Sequence, residues 1–316
     1  MRKILLFYVS ALVLLAASLH PVQQATIKAA VLDMVISQDK IFIATDASKV
    51  VVLDRDFHPI REVKVRKIKD FMGTLNDADI YSVDVMDGKV LFLAQAEEGY
   101  SELFLNDGNK TMKVLDRSKM LYAKAAKFVD SDHAVLALMS DEAVLYDILH
   151  QKILKRAKLG EYFYSTMAMD KDHRYFAVGD EGGEVIVVEA RSLKRVKLFK
   201  DINKDKILSI DINKNMVAAG SRADKTLAIY DWQAGWHKVV KNPDFFIYVV
   251  GLSPDNRYVV YGDNDKYVLK VLDVESMEPK YELIGHKNIV NVVRFIDKYT
   301  IITGSETGEI MKWRLK

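Results

Sequence analysis

Cysteine is absent from all 316 residues, which excludes disulfide staples, thiolate metal ligation and a lipobox thiol for acylation, so the fold must rest on its core alone. Proline is scarce, at five residues. With 50% hydrophobic and 28% charged residues, the composition excludes a disordered chain and describes a globular protein. Net charge is nearly absent too: 46 Lys and Arg against 44 Asp and Glu leave +2, too little to argue for nucleic acid. The seven histidines, His20, His58, His133, His150, His173, His237 and His286, are scattered without metal-ligand spacing, so no metal is expected. No GxSxG motif, phosphate-cradling glycine loop or recurring carboxylate pair is present. No cofactor and no catalytic residues are therefore expected, and the protein is expected not to be an enzyme.

The one long apolar run lies at the start. "MRKILLFYVSALVLLAASLHP" has a charged beginning, an apolar stretch from Ile4 to Ala17 broken by Ser10, and small residues Ala16, Ala17 and Ser18. This is the layout of a signal peptide spanning 1–18, cut after Ser18, and the run is shorter than the roughly 18 or more apolar residues of a spanning helix. An uncleaved anchor is the alternative, and membrane association is expected only in that case. Export without cysteine points to the periplasm.

Length alone suggests about two domains, but a regular internal period overrides that prior. Apolar stretches ending at Ile36, Val85, Phe128, Met169, Ile212, Leu252 and Phe295 are spaced by 49, 43, 41, 43, 40 and 43 residues. Each is followed by a polar turn, a second apolar run, another turn, a third run such as "KVVVLD" or "TLAIYD", and usually a more polar fourth such as "KILKRAK". Four strands per unit, seven times, predict an all-β seven-bladed β-propeller of antiparallel strands, one domain over 24–316. The seventh unit ends with "EIMKWRL" and lacks a fourth strand, while "QATIKAA", 24–30, is unclaimed. Pairing of the two would close the ring and remove two open edges.

The last unit resembles WD40 repeats, with "GH" at Gly285 and His286 and "TGSETGEIMKW" ending on Trp313. The resemblance implies a hydrogen-bonded tetrad to which His286, Thr303 and Trp313 match, with Thr307 where the family has its turn aspartate. In unit five, Asp224 and Asp231 fit the pattern but the GH is missing. Propeller enzymes with tryptophan-rich docking motifs are not resembled, since this chain has three tryptophans.

In a propeller, the loops between second and third strands share one face with the loops joining blades. On the first set fall the acids Glu97, Glu98, Asp141, Glu142, Asp180, Glu181, Asp263 and Asp265, along with Asp46, Asp224 and Glu306. The second set supplies Phe71, Met72 and Leu75 in an insertion, Tyr162 and Tyr164 in "GEYFYS", and Phe245 and Phe246 in "NPDFFIY". Aromatic anchors ringed by charge suit a protein interface. The expectation is a docking platform, monomeric, whose acidic, aromatic face binds another periplasmic protein bearing a basic patch. Ordinary turn composition is the competing account of the acids, and core packing of some of the rings. A second function class, a small-ligand or catalytic propeller of lactonase or quinoprotein type using the axial channel, stays open.

The leader, the missing cysteine and the degenerate repeats together resemble the NapL-type periplasmic accessory propellers of nitrate reductase systems. That resemblance implies an accessory role in maturation or electron supply. "DGNKT" at 107–111 is similar to the extended bacterial N-glycosylation acceptor, making Asn109 a candidate site; the same residues make a good hairpin turn.

Overall fold

A computed structural model of the chain describes residues 16–241 and 245–316. Seven four-stranded antiparallel sheets are arranged as blades, with one sheet carrying a fifth strand. Their innermost strands are Val31–Ser37, Ile80–Met86, Ala123–Asp130, Tyr164–Met169, Ile207–Asn213, Val249–Leu252 and Val290–Phe295. Each packs against the innermost strand of the next blade, and the last packs against the first, so the ring is closed.

The sequence pattern follows from this stacking. The inner strands of a blade are covered on both faces by neighbouring blades, which demands apolar residues on both. His133–Leu138 and Thr226–Asp231 are accordingly buried almost throughout. Fourth strands form the rim, where charge blunts an open edge; Lys152–Lys158 is exposed nearly end to end. Core side chains fill the gaps between blades, such as Phe128, Leu136 and Tyr146 against Leu103 and Leu115.

The seventh blade is completed from the other end of the chain. Gln23–Thr26 lies antiparallel to Glu309–Arg314, with Ala25 opposite Ile310. This strand is shorter than the expected 24–30 and begins one residue earlier. Ile27 N–H donates to Gly308 O at 2.9 Å, and Gly308 has φ +81°, with a hypothetical Cβ only 2.1 Å from Ile27 O. Glycine is therefore required where the two ends meet.

The fifth strand was not anticipated. Ala17–Leu19 runs parallel to Glu278–Leu283 on the rim of blade six, Leu19 is buried, and Ile284 N–H donates to Leu19 O at 2.9 Å. Of the expected signal peptide, 1–15 lie outside the described residues. The expected cut after Ser18 falls inside this strand.

Candidate docking face and axial channel

The two loop sets are stitched to one another by backbone hydrogen bonds in five of the seven blades. Ser48 N–H donates to Ala78 O, Met139 to Tyr122, Glu181 to Phe163, Arg222 to Lys206 and Glu306 to Ile289. Each pairs a second-to-third strand loop with a blade-joining loop, so both sets lie on one face.

The acids placed on that face divide sharply by burial. Asp141, Asp180 and Asp263 are buried, at 1%, 0% and 1% exposure, and offer no surface charge. Their turns fold back: Asp180 Oδ1 accepts the N–H groups of Gly182 and Glu184, and Asp263 accepts from Lys270 Nζ at 2.7 Å. Glu142 is held by Arg156, Glu181 by Lys206 and Glu97 by Arg117. Glu98 and Asp265 are exposed, as are Asp46 and Glu306, while Asp224 is half-buried with its Oδ2 accepting Lys204 N–H. Of the acids placed on this face, only Glu98, Asp265, Asp46 and Glu306 are exposed carboxylates without the burial or partners described for the others.

Asp141 is the most unusual of the buried set. Its carboxylate oxygens have no side-chain hydrogen-bond partner, with only the Gly160 N–H bearing on them, and Asp180 Oδ2 and Glu184 Oε2 are unpartnered. A Cβ on Gly160 would stand 2.5 Å from Asp141 Oδ2 and 3.3 Å from Asp180 Oδ2, which brings the two carboxyls to one spot between blades three and four. Burial, and for Asp141 the facing Asp180, pushes both carboxyls up to about 6. Among the described residues no group of three or more His, Asp or Glu could hold a metal ion.

The apolar residues also divide. Phe245 and Phe246 are half-buried, stacked at 4.0 Å, and packed with Tyr248 against the core cluster containing Trp313. Tyr164 is half-buried at the channel mouth. Phe71, Met72 and Leu75, by contrast, are 99%, 77% and 59% exposed, and Tyr162 is 51% exposed. The first three ride on a small hairpin, Ile68–Lys69 paired with Leu75–Asn76, whose turn is tied by Asp70 Oδ1 accepting Met72 and Thr74 N–H. The bonds explain the turn and leave the side chains without packing. Between the hairpin and the turn at Glu97–Gly99 lies a cavity of about 500 Å³ walled by Asp70, Phe71, Asp77, Glu97 and Glu98.

The tetrad is present in blade seven with a substitution that the turn position concealed. Trp313 Nε1–H donates to Thr303 Oγ1 at 2.9 Å, and His286 Nε2 lies 2.6 Å from the same oxygen. His286 Nδ1 faces Glu309 Oε2 at 3.3 Å, so Glu309 takes the place expected of an acid at Thr307. Thr307 instead meets Ser305 Oγ at 3.3 Å. Burial lowers the imidazole pKa, consistent with a neutral ring whose Nδ1–H donates to Glu309 and whose Nε2 accepts from Thr303. In blade five, Tyr230 O–H donates to Asn203 Oδ1 at 2.5 Å, and Asp231 caps its turn through Gln233 and Ala234 N–H. Asn109 is exposed in a turn where its N–H donates to Asp107 Oδ1.

The axial channel is divided across its middle. Asp33 accepts from Lys127 Nζ at 2.7 Å and from Arg294 at 3.0 Å, while Lys127 also donates to Val83 O and Arg294 Nε to Met34 O. Above this partition, towards the loop face, is a chamber of about 430 Å³; below it is one of about 550 Å³. His173 lines the lower chamber from a turn, with φ +54° and its Nδ1 on Phe128 O at 2.8 Å.

No protein-family profile matches the chain. Over 80 residues, it is 36% identical to "Nuclear distribution protein PAC1" of Coccidioides posadasii (strain C735), a segment that makes up 25% of this chain and 17% of that protein. The partial likeness and the seven four-stranded blades together support a WD40-like β-propeller.

Proposed function

We propose that the protein is a non-catalytic interaction scaffold whose partner docks on the loop face around the Phe71 hairpin. The observation that carries this reading is the exposure of Phe71, Met72 and Leu75 on a tied hairpin beside an acid-walled cavity. Three adjacent apolar side chains in water gain roughly 1.5–3 kcal/mol each on burial, and the partly unpaired acids nearby favour a partner with a basic patch. Tyr162, in the loop joining blades three and four, is exposed on the same face.

The leader-like start supports export to the periplasm, and the resemblance to NapL-type accessory propellers supports a role beside nitrate reductase, in its maturation or electron supply. The test is capture of partners from native periplasm by crosslinking and mass spectrometry. A variant carrying Phe71→Ser, Met72→Ser and Leu75→Ser should lose capture while unfolding at the same temperature as the parent; unchanged capture refutes the placement of the interface. Normal nitrate reduction in a deletion strain would refute the accessory role. N-terminal sequencing of the secreted form decides cleavage, and intact mass decides glycan attachment at Asn109.

A further inference from the structure

We infer that the upper chamber of the axial channel is a binding site for one small oxyanion, a carboxylate or a phosphate. The chamber's 430 Å³ suits a compact ligand, and its walls supply charge of one sign in excess. Four cations line it, Lys124, Lys127, Lys206 and Arg294, against two carboxylates, Asp33 and Glu181. Glu181 is spent on Lys206 at 3.0 Å, at the rim. Asp33 is shared by Lys127 and Arg294. The channel's other acids, Asp84, Asp170 and Asp211, line the chamber below the partition.

Lys124 is the cation left over. It is half-buried and, among the described residues, makes no ion pair within 4.0 Å; its ammonium stands 4.0 Å above the Tyr81 ring. Among the described residues Asp79 is the one carboxylate that acts on it electrostatically, from beyond ion-pair distance. A partly desolvated ammonium resting on a π-face gains far more from an oxyanion brought into the chamber than a solvated one does.

The partition adds hydrogen-bond donors. An ammonium has three donors and a guanidinium five. Lys127 uses donors on Asp33 and Val83 O, while Arg294 uses donors on Asp33, Met34 O and Val293 O, so each retains at least one unspent N–H. Ser209 Oγ accepts Val250 N–H, leaving its own O–H free to donate towards the chamber it lines. An oxyanion seated between Lys124 and the partition would meet cationic donors from two sides, an arrangement that favours charge-assisted hydrogen bonds.

The inference is tested by isothermal titration of the purified protein with sodium phosphate and, separately, with succinate, in chloride buffer at constant ionic strength. A saturable one-to-one heat with either probe is expected. Phosphate alone would assign a phosphoryl ligand, and succinate alone a carboxylate. Lys124→Ala should weaken the binding at least tenfold, while Lys124→Arg should largely retain it, with both variants unfolding at the parental temperature. Absence of saturable heat with both probes, or equal binding by Lys124→Ala, would overturn the assignment.

Discussion

Replacing Asp141 by asparagine should stabilise the protein, and more so the higher the pH. The folded carboxyl titrates at about 6 instead of 3.8, because burial and the facing Asp180 outweigh the opposing pull of Lys158 and the Gly160 N–H. The sign follows from linkage: with the folded pKa raised, the native state holds a proton that the unfolded chain has released, so stability falls as pH rises from about 4 to about 6 and stays reduced above. Moving from 3.8 to about 6 corresponds to a cost on the order of 3 kcal/mol at neutral pH. Asn keeps the shape and cannot ionise, so Asp141→Asn should recover much of that, raising the melting temperature by about 5 °C at pH 7.5. The gain should shrink towards pH 4. Adding Asp180→Asn should yield less than the sum of the single changes, since either substitution relieves the same repulsion. Thermal unfolding followed by circular dichroism at pH 4, 6 and 7.5 reads all three. A gain independent of pH, or a loss at pH 7.5, would show that the two carboxyls do not share a buried site.

Thr303→Val removes the hydroxyl on which Trp313 and His286 converge and strands two buried polar groups, so urea unfolding should show a loss of about 2–3 kcal/mol; a loss below about 0.5 kcal/mol would mean the tetrad carries no energy. Gly308→Ala puts a Cβ 2.1 Å from Ile27 O at a residue with φ +81°, and should cost more than about 2 kcal/mol, whereas the same change at Gly88, with no atom within 4 Å but a similar φ, should cost less. Equal losses at both would remove close packing of the two chain ends as the cause.

Blade number and ring closure were legible in the sequence because both are written in hydrophobic period: strands buried on two faces must be apolar on two faces, and an odd strand at one end needs a partner at the other. The docking face was legible only in part. Asp141, Asp180 and Asp263 have the composition of exposed turns, and nothing in a turn motif distinguishes a carboxylate aimed outward from one folded under the loop. The substitution of Glu309 for an acid at Thr307 was hidden for a related reason: the longer side chain reaches His286 from the strand instead of the turn. Phe245 and Phe246 sit in a loop yet pack against each other and the core, while Phe71, in a loop of similar composition, touches neither. Exposure of this kind is decided by what the loop folds onto. The three-residue strand Ala17–Leu19 had no signal at all, since its residues also fit the end of a signal peptide.

The account stands on the pairing of the two chain ends, and a disulfide measures it directly. Thr26 lies opposite Glu309 across an antiparallel pair, a Cα separation of roughly 4.5–5.5 Å that a disulfide can span, and the chain has no other cysteine to compete. In a protein carrying Thr26→Cys and Glu309→Cys, mild oxidation should consume both thiols within one molecule, and peptide mapping should join the first strand to the last. Free thiols after oxidation, or crosslinks solely between molecules, would contradict a closed ring.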